Sequence, residues 1–173
     1  PCFVSMRMDL TEKEHDQSTF EAYVYGSAEV VGLMCLAVFV HGSSYNADEK
    51  KTWVAGARAL GAAFQKVNFL RDLAADFDRL GRSYFPGVHV EGFDEDTKAR
   101  LVADIGKDLA TSSASLPLLP MGARRAVAAA QLLFQELNTK ISRIPAQELK
   151  TRRVSVSTTR KLALLALALR GVA

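Results

Sequence analysis

The spacing of apolar residues along the chain is helical for most of its length. β-Branched residues are scattered, and no sustained alternation of apolar and polar positions predicts a strand. The first long apolar-periodic segment predicts a helix from about Ser18 to Val40, with Ser18 or Thr19 as its N-cap. The turn-rich stretch HGSSYNADEK follows and separates this helix from the next.

A second long helix is predicted after this turn. Asn46 or Asp48 can cap its N-terminus, and the periodic pattern continues to about Leu80. Gly81 is a plausible residue to end the helix, since glycine adopts the left-handed conformation that follows many helices. Pro86 then disfavours an immediate restart.

Three further helical segments are predicted in the second half of the chain. They comprise FDEDTKARLVADIGKDLATS, with acidic residues in its first turn, the Ala- and Leu-rich GARRAVAAAQLLFQELNTKI, and TRRVSVSTTRKLALLALALR. No internal repeat is present. The pattern therefore predicts an all-α fold, with residues 1–173 in a single helical domain.

Composition and charge narrow the class of protein. The chain has 173 residues, is 49% hydrophobic and has a net charge of +3, which fits one globular domain with an apolar core. No basic run is interleaved with aromatic residues, so nucleic acid is not an expected partner. No stretch of about 18 uninterrupted apolar residues predicts a transmembrane helix. Cys2 and Cys35 show no metal-ligand spacing, and Cys35 is expected to be a buried, reduced thiol.

The stretch QKVNFLRDLAADFDRLGRSYFP carries four polar side chains at helical spacing. Gln65, Asn68, Asp72 and Asp76 fall within an arc of about 80° on a helix. Two carboxylates four residues apart repel each other, and a Mg²⁺ ion that also binds substrate phosphates could offset that repulsion. The alternative is an ordinary solvated face, because polar rows on helices are common. From the residues alone both interpretations stay open.

The same stretch resembles the second aspartate-rich motif of the phytoene and squalene synthase family. The matching positions include Gln, Asn three residues later, Arg-Asp, a second Asp four residues on, Gly-Arg and Tyr-x-Pro. Upstream, YVYGSAEVVGLM resembles the family segment with two tyrosines and a Val-Gly pair, and MRMDL resembles the stretch before it. LPLLPMGARRAVAAAQLLFQEL and RRVSVSTTRKLAL resemble the family's last two helices, so that the resemblance covers nearly the whole chain.

The resemblance implies an isoprenoid synthase bundle of α-helices around a deep cavity. Such enzymes join two allylic prenyl diphosphates head to head through a cyclopropylcarbinyl diphosphate. By the resemblance, Asn68, Asp72 and Asp76 would hold Mg²⁺ (or Mn²⁺) against the diphosphate, and both aspartates would be catalytic. Gln65 and Arg71 would orient that end of the substrate.

Three more residues acquire roles from the resemblance. Tyr23 matches a family tyrosine near the diphosphate and the reacting carbons, so it is a catalytic candidate; otherwise it is a half-buried tyrosine with a satisfied hydroxyl. Gly32 would let the prenyl tail or a neighbouring helix approach closely. Arg153, near the start of the last predicted helix, aligns with an arginine that reaches the diphosphate. Two positions depart from the pattern: Glu29 replaces a small residue, and Phe134 stands where some relatives have a tyrosine.

The family's first aspartate-rich motif has no counterpart in this sequence. In the family it lies upstream of the position at which this chain begins. We therefore expect the chain from Pro1 onward to be about the C-terminal two-thirds of a synthase, and not to catalyse the complete reaction by itself.

The resemblance leaves several functions open. GSAEVVGLMCLAVF looks like actinobacterial phytoene synthases, which favours geranylgeranyl diphosphate as substrate and phytoene as product. A squalene or dehydrosqualene synthase would instead use farnesyl diphosphate, and NADPH where squalene is formed. A non-catalytic helical homologue is the third hypothesis. A cytoplasmic protein with peripheral contact at the inner face of the membrane is compatible with lipid substrates, and the oligomeric state stays open.

Overall fold

The computed structural model describes residues 2–12, 14–74, 84–89 and 91–171, and all the regular elements among them are helices. They are α1 (Cys2–Thr11), α2 (Gln17–Val24), a π-helical turn (Tyr25–Glu29), α3 (Val30–Phe39), α4 (Ala47–Arg71), α5 (Glu95–Ser115), a 3₁₀ turn (Leu116–Leu118), α6 (Met121–Arg143), α7 (Ala146–Leu149) and α8 (Thr158–Leu169). The prediction of an all-α fold is confirmed.

Helices α2 and α3 form one continuous stretch through the π-helical turn. Its N-cap is Asp16, whose carboxylate accepts a hydrogen bond from the Thr19 backbone N–H at 2.7 Å. The predicted caps Ser18 and Thr19 were wrong because Asp16 begins the helix earlier. The stretch Gln17–Phe39 is long and apolar enough to cross a membrane by length and composition alone. Core helices of soluble proteins meet the same criterion, so the expectation of no spanning segment stays a prediction.

The long helix α4 is the central element of the bundle. Asn46 caps it through a reciprocal pair: its side chain accepts from the Glu49 N–H at 2.9 Å, and Glu49 accepts from the Asn46 N–H at 2.8 Å. The helix ends at Arg71, and Asp72 leaves the helical conformation with φ −104° and ψ 11°. The predicted unbroken helix to Leu80 is therefore wrong at Asp72; the predicted end lies outside the described residues.

Helix α4 packs most extensively on α5, and a bridging lysine links the two. Lys66 Nζ lies 2.6 Å from Asp104 Oδ2 and 2.8 Å from Asp108 Oδ2. Burial disfavours the charged form of Lys66, but its hydrogen bonds to both aspartates raise its pKa overall. Burial also raises the pKa of Asp108, against the opposing effect of Lys66. The lysine thus lies between two carboxylates and offsets the repulsion between them.

The C-terminal region departs from the predicted single helix over 151–170. Residues 152–157 have no helical conformation, and α8 begins only at Thr158, where Ser157 is the N-cap. Val154 and Val156 are buried in the main core, which anchors this extended segment against the bundle. Helix α1 was not predicted at all, because its apolar residues have no clear helical stripe and most of them are exposed.

Candidate functional site

The predicted polar row lies at the C-terminal end of α4. Asn68 is in the last turn, and the Asp72 backbone N–H donates to the Asn68 carbonyl at 2.9 Å. Asn68 Oδ1 is buried and has no hydrogen-bond partner among the described residues. A buried acceptor without a partner is unfavourable, which makes this atom a candidate for binding a ligand. Gln65 lies about one turn earlier and is partly buried, whereas Asp76 lies outside the described residues.

Two arginines contact the Asp72 carboxylate. Arg71 Nη2 lies 2.6 Å from Asp72 Oδ2, and Arg153 Nε lies 2.6 Å from Asp72 Oδ1. The structure thus brings together Arg71, Asp72 and Arg153. Arg153 lies 82 positions after Arg71, so this contact joins residues that are distant in the sequence. Arg153 is in the extended segment before α8, so its predicted position near the start of a helix was wrong. Burial of Val154 and Val156, which follow it, positions the segment.

The side-chain oxygen atoms at the end of α4 suit a hard divalent cation. Asn68 and Asp72 offer oxygen atoms, which Mg²⁺ prefers, and the unpartnered Asn68 Oδ1 is free to bind one. The Asp72 oxygens each contact an arginine, but a carboxylate has about four lone-pair positions, so that further binding is feasible. No cluster of three or more His, Cys, Asp or Glu side chains that could hold a metal occurs among the described residues, which exclude Asp76.

Tyr23 lies in an aromatic cluster beside the last turns of α4. Its ring contacts Phe69 at a centroid distance of 5.9 Å, Tyr84 at 5.5 Å and His15 at 5.2 Å. Its hydroxyl donates to Asp9 Oδ1 at 3.0 Å. Burial, with smaller effects from Tyr84 and Asp9, raises the pKa of Tyr23 well above its usual value. The hydroxyl is therefore a stable, oriented donor near neutral pH.

Asp9 is a residue that sequence reasoning did not single out. It lies in α1, within the MRMDL stretch that resembles the family, and it is 14 positions from Tyr23. The only sequence signal was therefore the motif itself, because no local spacing connects Asp9 to Tyr23.

We expect Asp9→Ala to destabilise the protein by about 1–3 kcal/mol, because the buried Tyr23 hydroxyl loses its hydrogen bond to the Asp9 carboxylate. Asp9→Asn keeps an acceptor oxygen and should recover most of that stability. Thermal unfolding of the three proteins measures the effect. Equal melting temperatures for Asp9→Ala and the parent would contradict this role.

An apolar groove of about 390 Å³ lies between α3, α4, α5 and α6. Its lining includes Gly32, Cys35, Ala57, Gly61, Phe64, Ser115 and Val127. On α4, Ala57, Gly61, Phe64 and Asn68 recur at helical spacing and share one face of the helix. Asp72 follows four residues after Asn68, at the position that ends the helix. The groove and the polar end of α4, which is formed by Asn68 and Asp72, thus lie along one side of the helix.

The structure also shows the surroundings of Phe134 and Glu29, the two positions that depart from the family pattern, and of Cys35. Phe134 stacks on Phe64 with ring centroids 3.7 Å apart, so an aromatic contact occupies the position of the relatives' tyrosine. Glu29 pairs with Arg58 at 2.6 Å. Cys35 is exposed, not buried as predicted, because it lines the open groove on a helix without buried residues.

Gly32 is distant from the polar end of α4. It packs against Ala57, which precedes Asp72 by 15 residues, or roughly 22 Å of helix. A Cβ built on Gly32 would lie 2.3 Å from the Ala57 carbonyl oxygen. The element that approaches Gly32 closely is therefore helix α4. Gly32 also forms part of the groove wall.

The helical architecture, the groove and the polar end together define an all-α protein with an isoprenoid synthase fold. A solved dehydrosqualene synthase has the same fold, with a TM-score of 0.75 and 24% sequence identity over 98% of this chain and 62% of that one. The squalene/phytoene synthase family model matches residues 3–160. The chain belongs to this family, whose members are enzymes of the prenyltransferase type.

Two phytoene synthases are similar to the chain. It is 33% identical over 158 residues to the 15-cis-phytoene synthase of Enterobacter agglomerans, covering 83% of this chain and 50% of the relative. It is 29% identical over 174 aligned residues to the 15-cis-phytoene synthase of Pantoea ananas, covering 91% and 53%. The chain thus spans about half the length of these curated relatives.

Proposed function

We propose that the chain forms part of a phytoene synthase, which condenses two geranylgeranyl diphosphates head to head in carotenoid biosynthesis. The observation that carries the proposal is the arrangement along α4: the apolar groove lies along the helix as far as Phe64, and Asn68 and Asp72, with the two arginines that contact Asp72, follow at its C-terminal end. A prenyl diphosphate has the matching division into an apolar tail and an anionic head. The two similar phytoene synthases support the same reaction.

The polar end would bind the diphosphate. Arg71 and Arg153 carry guanidinium groups, whose fork geometry suits phosphate oxygens, and both contact Asp72 in the structure. Asn68 and Asp72, with Asp76 by the family resemblance, would hold Mg²⁺. When bound, the ion would supply Lewis-acid neutralisation of the leaving diphosphate. Gln65, a turn before Asn68, would orient the same end.

The apolar groove would hold the prenyl tail and keep water from the allylic cation. Its wall is formed largely by apolar side chains and glycines, and it includes Phe64, whose ring stacks on that of Phe134. An aromatic face also stabilises a nearby cation through its quadrupole. Tyr23, held by Asp9 beside Phe69, would present a protonated hydroxyl near the diphosphate end.

A dehydrosqualene or squalene synthase is the second candidate. The solved dehydrosqualene synthase of similar fold favours it, and this function would use farnesyl diphosphate. NADPH would be needed only if squalene itself were formed. The two candidates differ in the length of prenyl tail that the groove accepts.

Product analysis distinguishes them. The full natural chain that contains these residues is incubated with Mg²⁺ and either geranylgeranyl or farnesyl diphosphate, and lipid products are identified by mass spectrometry. We expect a forty-carbon product from geranylgeranyl diphosphate. A thirty-carbon product from farnesyl diphosphate alone would support the second candidate. If neither substrate gave product, and Mg²⁺ with pyrophosphate did not stabilise the protein, the catalytic proposal would be wrong.

We also propose that the protein works in the cytoplasm, at the inner face of the membrane. Geranylgeranyl diphosphate and phytoene are lipids, so a peripheral position would shorten their transfer to and from the bilayer. The exposed leucines of α8 offer a surface that suits this position.

A further inference from the structure

Arg153 reaches the end of α4 from the non-helical segment 152–157. Its side chain is 63% exposed, yet its Nε lies 2.6 Å from Asp72 Oδ1. Arg71 is next to Asp72 in the chain, so helix α4 alone places it, whereas the position of Arg153 depends on the segment. Holding a long, exposed side chain in one geometry costs rotamer entropy. A fixed backbone path around Arg153 therefore favours the contact.

Two side chains of α6 hold the chain that follows Arg153. Lys140 Nζ donates to the backbone carbonyl of Ser155 at 2.8 Å. Glu136, four residues earlier on α6, accepts from Arg160 Nη2 at 2.8 Å, and Arg160 is in the first turn of α8. Residues four apart lie on one face of a helix. The same face of α6 is therefore linked to the segment and to the start of the helix after it.

The core and α6 restrain the segment in different ways. Val154 and Val156 are buried, which holds the segment against the bundle. Successive side chains of an extended chain point to opposite sides, and Arg153 and Ser155 are accordingly exposed. Lys140 restrains the backbone two residues after Arg153, and not the guanidinium itself. Within the described residues Lys140 forms no ion pair, so its effect on the polar end of α4 is indirect.

We propose that Lys140 is a positioning residue for diphosphate binding. By holding the Ser155 carbonyl, it keeps Arg153 at the polar end of α4. Glu136 supports the same position more weakly, through Arg160. This role rests on the proposed function, because the ligand of Arg153 is the diphosphate proposed above.

A double-mutant cycle tests whether Lys140 acts through Arg153. The affinity for inorganic pyrophosphate with Mg²⁺ is measured by titration calorimetry in the full natural chain that contains these residues. Lys140→Met should weaken binding about three- to ten-fold, since one hydrogen bond is lost, and Arg153→Gln about ten-fold or more. The double variant should bind like Arg153→Gln alone, because the two effects are not independent.

Conservative and control variants separate the donor from the charge. Lys140→Arg keeps a donor of similar reach and should recover most of the affinity. Lys161→Met removes the same charge from an exposed position in the first turn of α8 and should bind like the parent. Melting temperatures of all the variants are measured as well, and Lys140→Met should melt close to the parent because the lost bond is exposed.

Glu136→Gln distinguishes positioning from simple electrostatics by the sign of its effect. Removing a negative charge would strengthen the binding of an anion if only the net charge mattered. Positioning predicts the opposite: the Arg160 contact is weakened, and pyrophosphate should bind about two- to five-fold less tightly. Tighter binding in Glu136→Gln would show that charge alone accounts for the effects of the α6 residues.

Two further outcomes would overturn the positioning role. One is parental affinity in Lys140→Met. The other is full additivity in the double variant, which would show that Lys140 acts independently of Arg153. Both leave the proposed function intact, provided that the parent binds pyrophosphate with Mg²⁺ and Arg153→Gln binds it less tightly. Absence of binding by the parent would instead overturn the proposed diphosphate site, and the positioning role with it.

Discussion

Replacing Asp72 with Asn is expected to abolish the stabilisation that Mg²⁺ and inorganic pyrophosphate together give the protein. In the parent, ligand at about 100 times its dissociation constant contributes roughly 2.7 kcal/mol, which raises the melting temperature of a chain of this size by roughly 5–10 °C. The amide introduced by Asp72→Asn lacks the negative charge that attracts the ion. In the full enzyme the rate of product formation should fall by about 100- to 1,000-fold.

The variant also separates metal binding from simple anion binding. Without the carboxylate, Arg71 and Arg153 lose their acidic partner, whose oxygens lie 2.6 Å from each of them. Pyrophosphate alone should then bind at least as well as to the parent, while the dependence on Mg²⁺ disappears. Melting temperatures measured with pyrophosphate, with Mg²⁺ and with both resolve these two effects.

The chain contains a matched control for this experiment. Asp104 and Asp108 on α5 have the same four-residue spacing as Asp72 and Asp76, but Lys66 bridges them and takes the place of a cation. Asp104→Asn should therefore leave the shift by Mg²⁺ and pyrophosphate unchanged. A shift of parental size in Asp72→Asn, or its loss in both variants, would show that the α4 row is not the metal site.

Replacing Gly32 with Ala is expected to destabilise the protein by about 1–3 kcal/mol, the usual cost of overpacking. The new Cβ would lie 2.3 Å from the Ala57 carbonyl oxygen, closer than real Cβ atoms approach. This oxygen belongs to the backbone of α4 and cannot move without shifting the helix. The melting temperature should fall by roughly 2–12 °C for a chain of this size.

Gly106 provides the contrasting case. It lies in α5 with nothing within 4 Å of a built Cβ, and Ala is favoured over Gly in a helix by about 0.5–1 kcal/mol. Gly106→Ala should therefore raise the melting temperature slightly, opposite in sign to Gly32→Ala. A Gly32→Ala protein that melts with the parent but loses affinity for prenyl diphosphate would instead assign Gly32 mainly to the tail.

Sequence reasoning predicted the elements better than their ends. The all-α fold and most helix positions followed from apolar periodicity, which is a local property of the chain. The end of α4 was missed, because Asp72 leaves the helix where its carboxylate meets Arg71 and Arg153. The first residue of α8 was missed for a similar reason: Val154 and Val156 are buried in an extended conformation.

The candidate site was predicted in part. Asn68, Arg71 and Asp72 were identified because they lie within one short motif, and their spacing on a helix could be calculated. Arg153 was identified by resemblance alone, since no local pattern relates it to Asp72. Asp9 was missed altogether, because its link to Tyr23 exists only when α1 packs beside α2.

The sequence by itself determined the helical class, the polar row and the family resemblance, since each depends on residues close together in the chain. The tertiary structure decided which distant side chains meet. It set the pairing of Asp72 with Arg153, the contact of Gly32 with Ala57 and the exposure of Cys35 in the groove. These contacts depend on how whole helices pack, and packing is governed by burial summed over many residues that no local pattern contains.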